Sequence, residues 1–341
     1  MIYDLNVPLK EVLGFLGDKG YGKVAFIVNE NKLVGSITDG DVRRGVANLT
    51  EGISLSDLMN TDVKYIDYRG DIRREFKDLK SRGISHIPIV NESLEILRIL
   101  DAKSLKTILP ITAVIMAGGL GTRLAPLTDI TPKPLLKVGD KPIIDYTFDR
   151  LVNCGVNSFF IPLKYKAEQI QEHFSKKAQE NVSIEFFIET KALGTIGSLA
   201  YLNDSQSDYV LLTNADVLTN ICYESFYEHT ISERADIAVS TITYEVDIPY
   251  AVVDNHEERI VALTEKPVYK YQCNSGIYLI RKTLLAELTK DCRLDAPEFI
   301  KSQISKGRKV IFVNNDRFWL DIGKHKDFDS AQAIVKQLNF D

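Results

Sequence analysis

Short apolar runs and polar turns repeat within the first part of the chain. Two amphipathic stretches, around residues 8–20 and 71–82, each precede such runs, as expected of helices followed by short strands. The repeated positions are Ile27-Val28-Asn29-Glu30 with Ile89-Val90-Asn91-Glu92, Ile37 with Ile99, and Asp39 with Asp101. This predicts two copies of one small α/β unit that bury their sheets against each other.

From Thr112 the pattern changes to a longer alternation of strands and helices. Helices are predicted at 142–153 and 165–175. The predicted strands are Ala113–Ala117, Ser158–Leu163, Ser183–Glu189, Tyr209–Asn214, Ile237–Thr243, Ala251–Asp254, Ile277–Ile280 and Val310–Val313. The fold class is therefore α/β, with a mostly parallel sheet and a mixed extension where the helices become fewer. With Pro110 as a boundary, we expect domains at 1–109 and 112–341.

Composition and charge exclude several classes of protein. The 341 residues include 45% apolar and 26% charged residues, with 42 Lys plus Arg against 47 Asp plus Glu and a net charge of −5. This balance excludes disorder, collagen and a disulfide scaffold, and argues against a nucleic-acid partner. The four cysteines lack zinc-type spacing, and no apolar run reaches the ~20 residues of a membrane span. We expect a cytoplasmic protein without a signal peptide or membrane partner.

A glycine-rich loop follows the strand at Ala113–Ala117. Gly118, Gly119 and Gly121 let backbone amides approach an anion, and Arg123 and Lys133 add positive charge, so the segment is suited to a triphosphate. It is neither a dinucleotide fingerprint nor a Walker loop. The former needs glycine where Leu124 stands, and Gly-Lys-Ser/Thr is absent.

The string Gly118-Gly-Leu-Gly-Thr-Arg-Leu-Ala-Pro-Leu-Thr128, with Pro132-Lys-Pro-Leu135, resembles the signature of the sugar-1-phosphate nucleotidyltransferases. The resemblance extends over about residues 112–330. It implies a Rossmann-like domain that transfers a nucleotidyl group from a nucleoside triphosphate to a sugar 1-phosphate and releases pyrophosphate. Arg123 and Lys133 would be catalytic, while Thr122 and the three glycines would bind the nucleotide.

Two aspartates are the candidate metal ligands. Asp216 ends the strand at Tyr209–Asn214, and Asp321 lies in Phe318-Trp-Leu-Asp-Ile-Gly323. Two carboxylates plus substrate phosphates suit Mg²⁺, which offsets repulsion between the reacting anions. The family places its metal aspartates in these two motifs, although Ala215 replaces its usual glycine.

A further motif concerns the base. Glu189-Thr-Lys-Ala-Leu-Gly194-Thr195-Ile-Gly resembles the family's element E-x-x-P-L-G-T-A-G, with Ala192 in place of proline. Gly194 would admit the plane of a base, and Thr195 would cap the next helix. Because a carboxylate only accepts hydrogen bonds, Glu189 suits the two donors on the edge of guanine, which predicts GTP over UTP or dTTP.

The sugar side is predicted from three short motifs. Glu265-Lys266-Pro267 and Asn274-Ser-Gly-Ile-Tyr278 resemble family motifs in which the lysine holds the sugar phosphate and Glu265 and Asn274 contact hydroxyls. Tyr250 belongs to a third, Pro-Tyr-Ala-Val-Val, in which Ala251 replaces a glycine that faces the sugar. A methyl group there would reshape the pocket.

The repeat at the start of the chain resembles a pair of CBS domains. Gly35-Ser-Ile-Thr38-Asp-Gly-Asp41 fits the element whose Thr38 and Asp41 would contact ribose and phosphate, whereas Leu97–Lys103 in the second copy has lost it. The resemblance implies either an adenine-nucleotide site or a dimerisation platform without ligand. Because such pairs associate face to face, we expect a homo-oligomer.

The two regions together resemble the glucosamine-1-phosphate guanylyltransferases of bacterial legionaminic acid synthesis. The same motifs also fit mannose- or heptose-1-phosphate guanylyltransferases, and uridylyl or thymidylyl transfer stays open. Two alternatives belong to other classes: an inactive nucleotide sensor, and a cytidylyltransferase acting on a phosphate such as phosphocholine.

Overall fold

The computed structural model describes residues 1–18, 22–46, 53–177, 182–202 and 207–337. The chain divides into two compact units, Met1–Ile108 and Leu109–Asp341. None of the described helices combines the length and apolar character needed to cross a bilayer.

The first unit contains one motif twice. Its elements are β1 (Ile2–Asp4), α1 (Leu9–Gly17), β2 (Val24–Asn29), β3 (Lys32–Thr38), α2 (Asp39–Val46), α3 (Leu55–Leu58), β4 (Ile66–Asp67), α4 (Ile72–Ser81), β5 (His86–Val90) and β6 (Ile96–Asp101). The sheets have the orders β1-β2-β3 and β4-β5-β6, each with a parallel first pair and an antiparallel second pair. The structure thus contains the predicted repeat.

The two copies also share a core, as their repeated apolar runs predict. Phe26, Leu33 and Val90 form one buried cluster that draws on both sheets. The N–H of Leu33 donates to the carbonyl of Leu94 at 2.9 Å, which joins the two hairpins. Each small sheet therefore gains buried area from the other.

The second unit is built around one large sheet. Its strands are β7 (Ile111–Met116), β8 (Lys137–Val138), β9 (Lys141–Pro142), β10 (Ser158–Leu163), β11 (Ser183–Ile188), β12 (Tyr209–Asn214), β13 (Val217–Thr219), β14 (Ile237–Asp247), β15 (Val252–His256), β16 (Arg259–Thr264), β17 (Val268–Arg281), β18 (Val310–Asn314) and β19 (Trp319–Asp321). Its helices are α5 (Leu127–Ile130), α6 (Ile143–Asn153), α7 (Ala167–Lys176), α8 (Tyr223–Ser232), α9 (Ala296–Ser305) and α10 (His325–Val335).

The large sheet has seven strands in the order β11-β10-β7-β12-β17-β14-β18. Only β17 runs against its neighbours, so the sheet is mixed, as predicted. Alternate residues of β7 enter different cores: Ala113 and Ile115 one, Val114 the other. Both faces are therefore covered. The chain reverses its strand order around β7 and β12, and the carboxyl ends of these two strands form the crevice in which such sheets bind ligands.

Two strands continue beyond this sheet. β14 and β17 remain paired from Thr241–Asn274 out to Asp247–Val268, and the hairpin β15–β16 follows between them. We call residues 244–271 the arm. The strand predicted at Ala251–Asp254 corresponds to β15, which pairs with β16 outside the large sheet. An apolar run predicts a strand but not the sheet that receives it.

Candidate active site

The glycine-rich loop leaves β7 at the crevice. Gly121 has a φ of +66°, and a Cβ there would lie 2.9 Å from Thr128 Cγ2 and 3.0 Å from Lys133 Cβ. The Thr128 hydroxyl donates to the Gly121 carbonyl at 3.0 Å, which holds this close turn. Gly119, in contrast, is exposed, and nothing lies within 4 Å of the position of a Cβ. The backbone around Gly119 is thus open to an anion.

Asp216 and Asp321 are neighbours in the structure. Val217 pairs with Asp321 between β13 and β19, and the N–H of Ile322 donates to the Asp216 carbonyl at 3.0 Å. Burial raises the pKa of Asp321, and the negative charge of Asp216 raises it further. The tertiary structure therefore brings two distant motifs of the sequence to one point.

Both predicted catalytic cations lie at this carboxylate pair. Lys133 is buried and forms an ion pair with Asp216. A Cβ on Gly323 would lie 3.5 Å both from Arg123 Nη1 and from Asp321 Oδ2, so the guanidinium and the carboxylate meet at this glycine. The charges of Lys133 and Arg123 oppose the rise in the Asp321 pKa. The cluster thus alternates positive and negative groups.

The residues of the pair fit a magnesium ion. Asp216 Oδ1 is buried and has no hydrogen-bond partner among the described residues, although Lys133 contacts the other oxygen. A divalent cation would satisfy this oxygen and reduce repulsion with Asp321, and Mg²⁺ takes one or two carboxylates plus phosphates. Within the described ranges, no group of three or more His, Cys, Asp or Glu forms a candidate metal site. The protein offers two ligands, and substrate would supply others.

Glu189 lies beside the glycine loop in a buried position. It is 7% exposed, and a Cβ on Gly118 would be 3.6 Å from its Oε2. Oε2 is 3.5 Å from the Leu193 amide, while the buried Oε1 has no partner within the part of the chain described. Burial raises the pKa of this carboxyl. A buried acceptor next to a phosphate loop is suited to donors of a ligand.

The predicted role of Thr195 as a cap of the next helix is wrong. A short 3₁₀ helix follows it at Gly197–Tyr201, without a side-chain cap. Instead, the Thr195 hydroxyl accepts from the Ala296 amide at 2.7 Å, while its own amide donates to Asp295 Oδ1 at 3.0 Å. Thr195 therefore caps α9, which is distant in sequence. Local spacing could not reveal this partner.

Gly194 has a structural reason of its own to be glycine. Its φ is +77°, and a Cβ would lie 2.4 Å from the Leu294 carbonyl. The residue thus allows close approach of protein backbone, and its expected contact with a base plane stays a prediction. Asp295 is a supporting residue that the sequence analysis missed, although its place before Ala-Pro is a signal for a helix start.

Part of the predicted sugar side adjoins the carboxylate pair. A Cβ on Gly276 would lie 2.9 Å from the amide nitrogen of Asn214, two residues before Asp216. Asn274 already has partners: its Nδ2 donates to the Tyr278 hydroxyl at 2.6 Å and its Oδ1 accepts from the Gly276 amide at 2.9 Å. It thus holds β17 where the pairing with β14 changes register, between Val239 and Thr241, and its Nδ2 retains a second N–H.

Trp319 was not singled out in the sequence. Its Nε1–H donates to the Ser275 carbonyl at 2.9 Å, which ties β19, the strand of Asp321, to β17. A lone tryptophan two residues before the predicted ligand was the available signal. The partner carbonyl was not visible in the sequence.

Tyr250, Glu265 and Lys266 lie on the exposed arm. Lys266 has a φ of +43° at the turn between β16 and β17. Among the contacts of the described residues, none joins these three side chains to the carboxylate pair. The structure therefore gathers Arg123 and Lys133 around the aspartates but leaves Lys266, the lysine predicted to bind the sugar phosphate, apart.

In the first unit, Thr38 and Asp41 bind each other. Asp41 Oδ2 accepts from the Thr38 amide at 2.8 Å and from its hydroxyl at 2.6 Å, at the start of α2. Thr38 also lines a cavity of about 230 Å³, together with Ser36, Asn60, Lys64 and His86. Burial lowers the pKa of His86 there. A cavity with both polar and apolar side chains thus lies beside the predicted ligand residues.

Comparison with models of known protein families identifies the family of this chain. A model of the nucleotidyl transferase family matches residues 112–337, and a CBS domain model matches residues 4–48. Because the first match covers more than half of the chain, the protein belongs to the nucleotidyl transferase family, and it carries an N-terminal CBS domain. The predicted family is confirmed.

Curated relatives include mannose-1-phosphate guanyltransferases of fungi. The Aspergillus oryzae protein is 32% identical and the Schizosaccharomyces pombe protein 33% identical, each over 235 residues. A mannose-1-phosphate guanylyltransferase catalytic subunit beta from Drosophila melanogaster is 29% identical over 230 residues. These alignments cover 65% of this chain and 62–63% of the relatives. The chain thus spans less than two thirds of their length.

Solved structures confirm the fold class. A putative glucose-1-phosphate thymidylyltransferase from Bacillus anthracis, in complex with a sucrose, has a TM-score of 0.55 at 23% identity and covers 68% of this chain and 97% of its own. HddC from Yersinia pseudotuberculosis, complexed with GMP-PN, has a TM-score of 0.51 at 25% identity, with 66% and 99% coverage. The α/β nucleotidyltransferase fold is therefore established.

Proposed function

We propose that the protein transfers GMP from GTP to a hexose 1-phosphate, giving a GDP-sugar and pyrophosphate. The observation that carries this is the meeting of Arg123, Lys133, Asp216 and Asp321 beside an open glycine loop. A phosphate oxygen of the sugar 1-phosphate attacks the α-phosphorus of GTP. The bond between the α-phosphorus and the oxygen that bridges the α- and β-phosphates breaks, and pyrophosphate leaves. The nucleophile is already ionised, so the protein's task is positioning and charge neutralisation.

Each charged residue has a stated role in this proposal. Asp216 and Asp321 would hold Mg²⁺, which would supply positive charge to the phosphates of GTP. Arg123 neutralises charge that develops on the α-phosphate, and Lys133 keeps Asp216 oriented and adds a second cation. Gly118, Gly119, Gly121 and Thr122 present backbone amides to the triphosphate.

GTP is the proposed nucleotide because of Glu189. Its buried Oε1, which has no partner among the described residues, offers an acceptor, and its Oε2 lies 3.6 Å from the position of a Cβ on Gly118. Guanine carries two donors on one edge. The names of the relatives point in the same direction. Uracil or thymine, with one ring N–H, would leave part of this acceptor unpaired, which is costly in a buried site.

Mannose 1-phosphate is the first sugar to test. The relatives named above act on it by their names, which favours this alternative over glucosamine 1-phosphate and gives no support for legionaminic acid synthesis. Lys266, Glu265, Asn274 and Tyr250 stay the proposed sugar-side residues. Ala251, the neighbour of Tyr250, is the residue at which a changed sugar preference would originate.

The deciding experiment is a matrix of initial rates. The full chain with Mg²⁺ is assayed for pyrophosphate release with GTP, UTP, dTTP, CTP and ATP against mannose, glucosamine, glucose and heptose 1-phosphates. We expect release with GTP and mannose 1-phosphate, and its loss in Arg123→Ala. A preference for UTP or dTTP would refute the base assignment. Release with no pair, in a folded protein, would refute the enzyme and favour a nucleotide sensor.

We also propose that the first unit is a CBS pair which binds an adenine nucleotide and contributes to oligomer formation. The cavity at Thr38, Lys64 and His86 supports this, because it offers polar side chains together with apolar ones and lies beside the Thr38–Asp41 bonds. Calorimetry of the full chain with AMP and ATP tests it, with Thr38→Val as the variant. No heat with the wild type would leave only the ligand-free platform, and equal heats for both proteins would show that Thr38 does not bind the nucleotide.

A further inference from the structure

Lys164 is a lysine at the crevice to which the proposed reaction gives no role. It directly follows β10, as Glu189 directly follows β11, and Gly118 comes after β7 and Ala117. These three strands are neighbours in the order β11-β10-β7 and run parallel, so their carboxyl ends stand in a row. Lys164, Glu189 and Gly118 therefore occupy one stretch of the sheet edge.

The side chains of Lys164 and Glu189 both approach Gly118. A Cβ on this glycine would lie 3.6 Å from Lys164 Cβ and 3.6 Å from Glu189 Oε2. Burial raises the pKa of Glu189, and the positive charge of Lys164 acts in the opposite direction. A cation and a carboxylate thus lie beside the glycine at which the loop begins.

The two charged groups are not bonded to each other. Among the residues that the structure describes, Lys164 forms no ion pair and no hydrogen bond, and it is partly buried. The buried Oε1 of Glu189 likewise has no partner there. Buried polar groups are normally paired, so a donor and an acceptor at one place that do not bind each other are suited to a ligand that binds both.

The edge of guanine that pairs in nucleic acids carries an acceptor next to donors. O6 accepts, whereas N1–H and the N2 amino group donate. A lysine only donates and a carboxylate only accepts, so Lys164 suits O6 and Glu189 suits the two N–H groups. Adenine and cytosine carry an amino group in place of this oxygen, which would set one donor against another.

We propose that Lys164 is a second base-reading residue, whose ammonium group donates to O6 of guanine while Glu189 accepts from N1–H and the N2 amino group. The two residues divide the selection. Lys164 admits bases with a keto oxygen and rejects adenine and cytosine, and Glu189 separates guanine from uracil and thymine, which have one donor fewer. The inference rests on the proposed assignment of Glu189 to the base.

The test is nucleotide binding by the full chain with Mg²⁺, measured by calorimetry without a sugar. Lys164→Met removes the ammonium group and keeps the length of the side chain. We expect it to bind GTP about tenfold more weakly or worse, because a charged hydrogen bond is lost, and to bind ATP at least as tightly as the wild type. Lys176→Met, at an exposed lysine of α7, is the control and should bind GTP like the wild type. Equal weakening of GTP and ATP would mean that Lys164 contacts the phosphates, which overturns the proposal.

A change in the ligand isolates the contact with O6. 6-Thio-GTP keeps N1–H and the N2 amino group but carries sulfur, a weaker acceptor, in place of O6. The wild type should bind it more weakly than GTP, whereas Lys164→Met should bind both equally. ITP, which lacks the N2 amino group, should lose affinity by the same factor in both proteins, because that group faces Glu189. A sulfur penalty that persists in the variant contradicts the contact.

The wild type alone decides the matter if Lys164→Met fails to fold by circular dichroism, because equal affinities for GTP and 6-thio-GTP overturn the proposal. No sugar 1-phosphate takes part, so absence of pyrophosphate release would refute the reaction and leave this measurement valid. A wild type that prefers UTP refutes the base assignment on which the inference rests. A preference for GTP that Lys164→Met leaves unchanged refutes the inference alone.

Discussion

Asp216 and Asp321 stand side by side because β13 pairs with β19. The ladder sets Val217 against Asp321, and the Ile322 amide donates to the Asp216 carbonyl at 3.0 Å. Two carboxylates in a partly buried site repel each other, and Lys133 compensates only one of them directly. The site is therefore arranged to gain from a further cation.

The first prediction concerns this repulsion. Asp321→Asn should lower kcat by about 100-fold, or about 3 kcal/mol, because the nucleotide's metal loses a ligand. Without Mg²⁺ the variant should unfold at a higher temperature than the wild type, since one repelling charge is gone. Added Mg²⁺ should then raise the Tm of the wild type but not that of the variant.

Asp329→Asn is the control, because Asp329 is an exposed carboxylate on α10. It should retain both the activity and the thermal shift with Mg²⁺. If Asp321→Asn keeps the Mg²⁺-dependent shift of the wild type, Asp321 is not a metal ligand.

Two glycines of the loop should respond differently to alanine. Gly121→Ala should lower the free energy of unfolding by about 1–3 kcal/mol, because its φ is +66° and a Cβ would press on Thr128 and Lys133. Gly119→Ala should leave the unfolding free energy within about 0.5 kcal/mol of wild type, since its Cβ position is open.

The same pair separates folding from ligand binding. Gly119→Ala should raise the KM for GTP although the protein is folded, because the methyl group occupies the approach of the triphosphate. Denaturant unfolding and initial rates measure the two effects. A Gly119→Ala enzyme with wild-type KM would mean that the triphosphate does not approach this glycine.

Glu189→Gln tests a conflict between stability and base recognition. Burial raises the pKa of Glu189, so the folded state holds the proton more tightly than the unfolded state, and the wild type loses stability as pH rises. The neutral glutamine avoids this loss. The variant should thus be more stable at neutral pH by about 1 kcal/mol, with the gain fading in acid.

Glu189→Gln should also weaken the reaction with GTP. A hydrogen bond to a charged carboxylate is stronger than one to a neutral amide oxygen, so kcat/KM for GTP should fall about tenfold or more. Glu168→Gln, on the exposed side of α7, is the control and should change neither property. Unchanged GTP preference together with raised stability would mean that Glu189 does not read the base.

Thr195 and Asp295 should act as one unit. Thr195→Val removes the cap of the Ala296 amide, and Asp295→Ala removes the acceptor of the Thr195 amide. Each should raise the KM for GTP by loosening the loop that carries Glu189. A double-mutant cycle in unfolding free energy should give a coupling of about 1 kcal/mol. Additive effects would show that the two bonds are independent.

Local patterns were sufficient for much of the large sheet. β10 and β12 have the predicted ends, Ser158–Leu163 and Tyr209–Asn214, because buried strands bounded by polar residues carry their own signal. The short strands β13 and β19 were not predicted, since three residues hold no periodicity. These two strands, however, are what unites the carboxylate pair.

The arm shows what local patterns could not predict. The sequence predicted only the short runs Ile237–Thr243 and Ile277–Ile280 beside it, whereas β14 continues to Asp247 and β17 begins at Val268. Exposed apolar residues follow the same alternation as buried ones, so the sequence could not tell that Tyr244 and Tyr271 face solvent. Exposure depends on what packs against a strand.

The sequence by itself determined the chemistry: glycines, cations and two acids in motifs whose residue types suit phosphate and Mg²⁺. The tertiary structure alone decided which of them meet. Pairing of β13 with β19 joined Asp216 to Asp321, a partly buried ion pair set Lys133 on Asp216, and α9 took Thr195 as its cap. The reason is physical: residue type fixes what a group can bind, but its partners are set by contacts between segments that are remote in the chain.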